Sequence, residues 1–296
     1  MGFMMKKILP CFLLSCFAAF ASATITQAAT LPYTGWVDDY TGTEAHTLGL
    51  WKFDDSQNYG VNSVADSPYG MNFASKGTEV GVPGKFGTSF LSRGTGDEPG
   101  QSSGNDSYAA ITSSATLFNG SALSIEFWYS PVVPAGDLGG GYSYFFDKMK
   151  NDSAGVQLRL NNTNEPKQRL TFTVGNGSKI VSANTKELTW EVGTWYHIAV
   201  TFENVDGDGV LKIFRDGEEL GSTISTGFGD MVTGTQSWKV ANRLVSGYSS
   251  VPGYYDNFRV SDIAYGYAPV PEPRAVALVL LLLPLLWKAA GVARPA

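Results

Sequence analysis

The 296-residue chain carries 21 Lys and Arg against 27 Asp and Glu, with 34 Gly, 13% aromatic residues, two Cys and two His. Setting aside the basic residues of the two ends, Lys6, Lys7, Arg274, Lys288 and Arg294, leaves 16 positive against 27 negative side chains, a body near −11. That balance argues against nucleic acid or an anionic membrane as partner, and two histidines as far apart as His46 and His197 argue against a histidine-built zinc site.

In chain order, Lys6 and Lys7 precede an apolar run, Ile8 to Phe20, and then Ala21-Ser22-Ala23. This is the layout of a secretory signal peptide over residues 1–23, too short in its apolar part to span a bilayer. Both cysteines, Cys11 and Cys16, lie in that segment, so the mature chain has no disulfide and must be held by its core. Residues 24–46 read as a polar lead-in. Thr47 to Asp54 alternates with a period of two and is the first strand. Residues 92–106 hold turn and loop formers, and Tyr108 to Ile111 is a short strand.

Ala122 to Tyr129 is the clearest strand, with Ile125, Phe127 and Tyr129 on one side and Ser124, Glu126 and Trp128 on the other; Pro131 and Pro134 end it. A Gly139-Gly140-Gly141 loop leads into Tyr142 to Asp147. Val156 to Leu160 pairs with Leu170 to Val174, and Lys179 to Ala183 comes next. Thr194 to Phe202 alternates cleanly and pairs with Val210 to Phe214 across Asp206-Gly207-Asp208-Gly209, a hairpin signal. Tyr254 to Val260 closes one domain, 47–267. No amphipathic helix of about ten residues is legible between the ends, and many short strands imply an all-β, antiparallel two-sheet sandwich.

Six of these segments, in order, resemble the laminin G-like, concanavalin A-like jelly-roll family: Leu48 to Asp54, Gly84 to Leu91, Leu123 to Pro131, Gly193 to Phe202, Lys212 to Gly217 and Tyr255 to Ser261. The resemblance implies two stacked antiparallel sheets with the first and last strands as neighbours. It does not imply one activity: such folds serve as glycan-binding modules, as adhesion domains, and in some cases as hydrolases or lyases. The C-terminal residues 268–296 resemble another known element. Val270-Pro271-Glu272-Pro273, an apolar segment over 275–293 and the basic Lys288 and Arg294 are similar to the PEP-CTERM sorting signal of Gram-negative bacteria. That resemblance implies recognition of Pro271, Glu272 and Pro273 by an exosortase-type enzyme, transient anchoring in the inner membrane, and a cell-surface or extracellular-matrix location.

A glycosidase needs two carboxylates roughly 5–9 Å apart. Glu126 stands alone on its strand and reads as a partly exposed residue with a cross-strand partner, the alternative being a sugar contact. Asn204 to Gly209 imitates half of a calcium loop, but Arg215 stands where the closing Glu belongs, so a hairpin turn is expected. Asp54, Asp55, Asp256 and Asn257 would meet if the first and last strands pair. They are candidate ligands for a structural Ca²⁺, or else turn caps. His197 is expected to be a hydrogen-bonded structural residue, and Trp51, Trp128 and Trp195 to be packing. Tyr142, Tyr144, Trp238, Tyr248 and Tyr254, read as aromatics near Gly-rich loops, are the candidate ligand contacts. The expected function is non-catalytic binding of an extracellular polysaccharide. The alternatives are a protein-binding adhesive domain and a carbohydrate-active hydrolase or lyase.

Overall fold

The computed structural model describes residues 32–33, 40–42, 44–94, 107–112, 120–138, 141–149, 153–161, 168–244 and 249–267. The signal peptide, the sorting motif Pro271-Glu272-Pro273 and the 275–293 segment lie outside the described residues. Among the described residues no helix is long and apolar enough to cross a membrane, and the one helical element is a single 3₁₀ turn, Ala135–Asp137.

The strands are β1 (Pro32–Tyr33), β2 (Thr47–Trp51), β3 (Met71–Phe73), β4 (Thr78–Pro83), β5 (Thr88–Ser92), β6 (Ala109–Ile111), β7 (Ala122–Pro131), β8 (Tyr142–Asp147) and β9 (Ala154–Asn161). They continue with β10 (Arg169–Asn176), β11 (Ile180–Asn184), β12 (Tyr196–Val205), β13 (Asp208–Arg215), β14 (Glu218–Ser225), β15 (Trp238–Val240), β16 (Ser249–Ser250), β17 (Gly253–Ser261) and β18 (Gly266–Tyr267). Two eight-stranded sheets result. The first runs β11-β10-β9-β8-β15-β6-β3, with β16 beside β8; the second runs β14-β13-β12-β7-β17-β5-β4, with β2 beside β17. β17 pairs with β5 through Gly253 to Tyr255 and with β2 through Phe258 to Ser261, so the first and last strands of the domain are neighbours as expected.

Local chemistry fixes the register. Asp206 and Gly207 both have positive φ, 54° and 94°, as do Asp216 and Gly217, 53° and 79°. Two consecutive positive φ values make the turn type whose twist matches flanking antiparallel strands, and each of these pairs links strands of the β12-β13-β14 meander. The segment that imitates a calcium loop is therefore a hairpin.

The space between the sheets is filled by aliphatic side chains around a connected set of aromatic rings. Phe90 stacks on Tyr255 at 4.9 Å, Phe127 on Phe258 at 5.6 Å, and Tyr129 meets Phe145 edge-on at 4.9 Å. Trp238 is fully buried there, edge-on to Phe146 and Phe258. Rings of this size exclude most of the water between two sheets about 10 Å apart, which suits a domain with no disulfide. Trp51 belongs to this core. Trp128 and Trp195, expected to pack there too, lie outside it. Trp128 is partly exposed, with the Lys85 ammonium 4.7 Å from its ring, and Trp195 lies beside Tyr254.

Candidate functional site

Each sheet has one face in the core and one face turned away from it, and the two outward faces differ in kind. On the second sheet the outward face holds the clearest charged cluster, and it is sealed. Glu126 is 0% exposed, which corrects the expectation of a partly exposed residue. Its Oε2 accepts the Tyr40 hydroxyl at 2.7 Å and lies 3.1 Å from His197 Nε2, and its Oε1 accepts Arg259 Nη1 at 3.1 Å. Arg259 also donates from Nε to the Thr47 hydroxyl at 3.0 Å and from Nη2 to the Tyr265 hydroxyl at 2.8 Å, and Tyr265 in turn donates to the Ala45 carbonyl at 2.9 Å. Tyr40, Ala45, Thr47 and Tyr265 thus close over the cluster, and β1 and β18 pair in parallel. Burial opposes ionisation of Glu126, but the His197 hydrogen bond and the Arg259 charge outweigh it and hold its pKa below the usual carboxylate value. The result is a satisfied buried ion pair. His197 is the hydrogen-bonded histidine that the sequence suggests.

The outward face of the first sheet is polar throughout its centre, where Asp147, Gln157, Asn161, Thr171 and Thr173 are buried, and it reaches solvent at Tyr142, Arg159, Arg169, Ser182, Asn184 and Lys239. The alternation that buries Val156, Leu158 and Leu160 in the core sends Gln157, Arg159 and Asn161 outward, and beside them Thr171 and Thr173 alternate with Leu170, Phe172 and Val174. The register lines these up in rows across the strands. One row reads Asn184, Thr171, Arg159, Tyr144; the next reads Ser182, Thr173, Gln157, Asp147, Lys239. Thr171 donates to Asn184 at 2.8 Å, and Thr173 and Ser182 share a hydrogen bond of 2.8 Å.

Cations lie over tyrosines on this face. The Arg159 guanidinium is 4.5 Å from the centre of the Tyr142 ring, Arg243 is 5.0 Å from Tyr144, and the Lys239 ammonium is 4.2 Å from Tyr108. Burial pushes the Lys239 pKa down, offset in part by the charge of Asp147. Burial also pushes the Tyr144 hydroxyl up, against the opposing charges of Arg243 and Arg159. Asp147 is the one carboxylate in these rows. It is committed to structure: Oδ1 accepts the Met149 N–H at 2.8 Å and Oδ2 the Leu244 N–H at 3.0 Å, with Arg243 Nε 3.8 Å away.

The structure brings Tyr142 and Tyr144 together on this face but separates the remaining aromatics named from the sequence. Tyr142 is half-buried; Tyr144 is only 1% exposed, a platform beneath arginines instead of a free stacking surface. Trp238 is in the core, a correction with a simple cause: on β15 it alternates with Lys239, and the lysine takes the outward position. Tyr254 is on the second sheet, and Tyr248 lies outside the described residues. Sequence reasoning misses Arg159, Arg169, Arg243 and Lys239, although the alternation around Arg159 carries a signal for the first of them.

The candidate calcium residues divide in the same manner. Asp54 Oδ1 accepts the Thr88 N–H at 2.7 Å and Asp256 Oδ2 the Phe86 N–H at 2.9 Å, so both carboxylates cap the β4–β5 turn. Gly87, at φ 56°, approaches so closely that an added Cβ would sit 2.2 Å from Asp54 Oδ1. Asp55 faces elsewhere and caps Gln57 and Asn58. Asn257 adopts φ 48° at the β17 bulge. Among the described residues no group of three or more His, Cys, Asp or Glu is placed to hold a metal. One acceptor is left over: Asp256 Oδ1 is buried without a hydrogen-bond partner, and burial, with the nearby Asp54 charge, pushes this carboxyl up to about 7.

Three solved structures share this architecture. Domain 4 of AbnA, a GH43 extracellular arabinanase from Geobacillus stearothermophilus solved with arabinotriose, is 18% identical, with TM-score 0.51 over 75% of this chain and 95% of that one. The binding domain of Paraclostridial Mosquitocidal Protein 1 is 16% identical, with TM-score 0.53 over 79% of this chain and 51% of that one. The binding domain of Botulinum Neurotoxin DC, in complex with SialylT, is 10% identical, with TM-score 0.50 over 80% of this chain and 51% of that one. The chain thus spans about half the length of the two toxin binding domains, and at these identities the likeness is one of fold. No curated protein matches the sequence. The Laminin_G_3 family model matches residues 103–268, more than half of the chain, and the protein belongs to that family of the Concanavalin A-like lectin/glucanases superfamily.

Proposed function

We propose that this is an exported, non-catalytic binding protein that recognises a glycan polymer through the outward face of the β8-bearing sheet. The observation that carries the reading is the contrast between the two outward faces. One has a buried polar centre, Gln157, Asn161, Thr171 and Thr173, from which Tyr142, Arg159, Arg169, Ser182, Asn184 and Lys239 reach solvent, cationic and polar groups beside a tyrosine ring of the kind that sugar hydroxyls and ring faces engage. The other buries its carboxylate under Tyr40, Thr47 and Tyr265. That the arabinanase domain was solved with arabinotriose and one toxin binding domain with SialylT supports a glycan as the ligand class.

A hydrolase reading fares worse. Its two-carboxylate chemistry would need a second acid within reach of Asp147 or an exposed Glu126, and the described residues of the face supply neither. Export rests on the signal-peptide layout of residues 1–23 and on the similarity of residues 268–296 to a PEP-CTERM signal, with exosortase processing, transient inner-membrane anchoring and final placement at the cell surface or in the matrix. Two measurements test the proposal. A glycan array probed with the protein and with Tyr142→Ala should give ligands that the variant loses; equal binding by both would remove the face from consideration. Mass spectrometry of the mature protein should show loss of residues 1–23 and cleavage near Pro271-Glu272-Pro273; an intact C-terminus would overturn the processing step.

A further inference from the structure

We infer that the polymer bound by this face is anionic, a polysaccharide bearing carboxylate or sulfate groups. The inference rests on the glycan-binding reading above and adds the charge of the ligand. Four cations, Arg159, Arg169, Arg243 and Lys239, stand on a face whose one carboxylate among the described residues is Asp147. Arg243 is the cation within ion-pair distance of Asp147. Arg159, Arg169 and Lys239 make no ion pair with any described residue, although the body of the protein is strongly acidic.

Two of these cations also carry unmet hydrogen-bonding capacity. The Nε atoms of Arg159 and Arg169 are buried without a hydrogen-bond partner. With Nε buried and unpartnered, the partly exposed remainder of each side chain is where an oxyanion would meet the charge. Arg169 faces Asn161, and Arg159 faces Thr171, on the paired strands β9 and β10. That makes the two arginines diagonal neighbours, roughly 7–8 Å apart at Cα. A guanidinium offers parallel N–H groups that match the two oxygens of a carboxylate or sulfate. Lys239 is on β15, beyond β8, so the three cations span β10 to β15, about 14 Å at the usual strand spacing. A single small anion cannot answer charges spread so widely. A chain with repeated negative groups can.

The test is affinity electrophoresis of the full chain in non-ionic detergent through gels holding alginate, dextran sulfate, dextran or arabinan. The expected result is retardation by alginate or dextran sulfate at least about tenfold stronger than by the neutral polymers, falling as salt rises. Whichever of the two binds more tightly identifies the anion. Arg159→Gln and Arg169→Gln should each weaken retardation about tenfold, the loss of one charged contact, with melting temperatures that show both variants folded. Arg169 is the control for folding, since it lies at the end of its strand. Equal retardation by neutral polymers, lost in Tyr142→Ala but unchanged in the arginine variants, would overturn the charge of the ligand and leave the glycan reading standing. Retardation by none of the four, or retardation indifferent to Tyr142 and both arginines, would overturn both.

Discussion

Replacing Asp256 by Asn should make the protein more stable at pH 8 and take away much of its dependence on pH. Asp256 is 0% exposed, one of its oxygens has no partner, and the Asp54 carboxylate is close enough to disfavour a second negative charge. Its pKa accordingly stands near 7 in the fold against an ordinary 3.8. Because the folded value is the higher one, the folded state holds the proton more tightly. The stabilisation is complete below about pH 4 and is lost as pH rises through 7. At 1.36 kcal/mol per pH unit, the full difference is roughly 4 kcal/mol. Asn keeps an oxygen to accept the Phe86 N–H and removes the charge, so the variant should lack this loss. Urea unfolding monitored by tryptophan fluorescence, at steps from pH 4 to pH 8 in EDTA, reads the effect. The wild-type midpoint should fall relative to that of Asp256→Asn as pH rises, and the two curves should converge only near pH 4. Parallel curves would refute the argument, because they would mean that Asp256 ionises in the fold as easily as in the unfolded chain. A repeat in millimolar Ca²⁺ reports on a cation: selective stabilisation of the wild type at pH 8 would mean that Asp256 and Asp54 hold a metal as well as capping a turn.

Packing and pairing supply further expectations. Phe258→Ala should cost about 3–5 kcal/mol in chemical denaturation, since its ring contacts Trp51, Phe127, Phe146 and Trp238 and its loss leaves a cavity. Arg259→Met should cost about 3–5 kcal/mol by leaving Glu126 buried and uncompensated, and Arg259→Met with Glu126→Leu should recover a large part of it in a double-mutant cycle. Gly87→Ala should cost more than about 1 kcal/mol in thermal melts, because positive φ and the Asp54 carboxylate both oppose a Cβ. Lys212→Ala should change stability by less than about 1 kcal/mol, its pair with Glu219 being exposed on both sides.

The strands β7, β9, β10, β12 and β13 are legible in the sequence because each alternates without interruption, and the hairpin between β12 and β13 because Asp206-Gly207 suits only one kind of turn. Other parts are hidden for identifiable reasons. β8 contains a register shift between Tyr144 and Phe146, so Phe145 and Phe146 are both buried in the core, and a strict period of two misplaces the residues after the shift. The burial of Glu126 depends on Tyr40, 86 positions away, and on Arg259, 133 positions away. Neither lies on an adjoining stretch of sequence, so local pattern gives no sign of them. Trp238 is misplaced by a sequence reading because three residues are too few to show alternation. The candidate face is half visible: Gln157, Arg159 and Asn161 alternate in plain view, but their partners across the sheet come from β8, β10 and β15, and pairing is what turns isolated polar residues into rows.

The two outward faces also bear on whether the described residues could carry out glycoside hydrolysis. A general acid in glycoside hydrolysis needs a raised pKa and access to the leaving oxygen, with a second carboxylate opposite it. Glu126 has the reverse of each property: Arg259 and His197 hold it ionised, Tyr40 donates to Oε2 alongside His197, and its complete burial excludes substrate. To act, it would have to lose Arg259, and then the burial that keeps the site dry would favour the neutral, unpaired acid over a working pair. On the other sheet Asp147 is turned to backbone N–H groups and shared with Arg243. Among the described residues, the charge left facing outward there is therefore guanidinium and ammonium. Those groups donate hydrogen bonds and attract anions, but at neutral pH a guanidinium neither accepts nor releases a proton. On the function proposed above, a face so composed holds a polymer by contact alone.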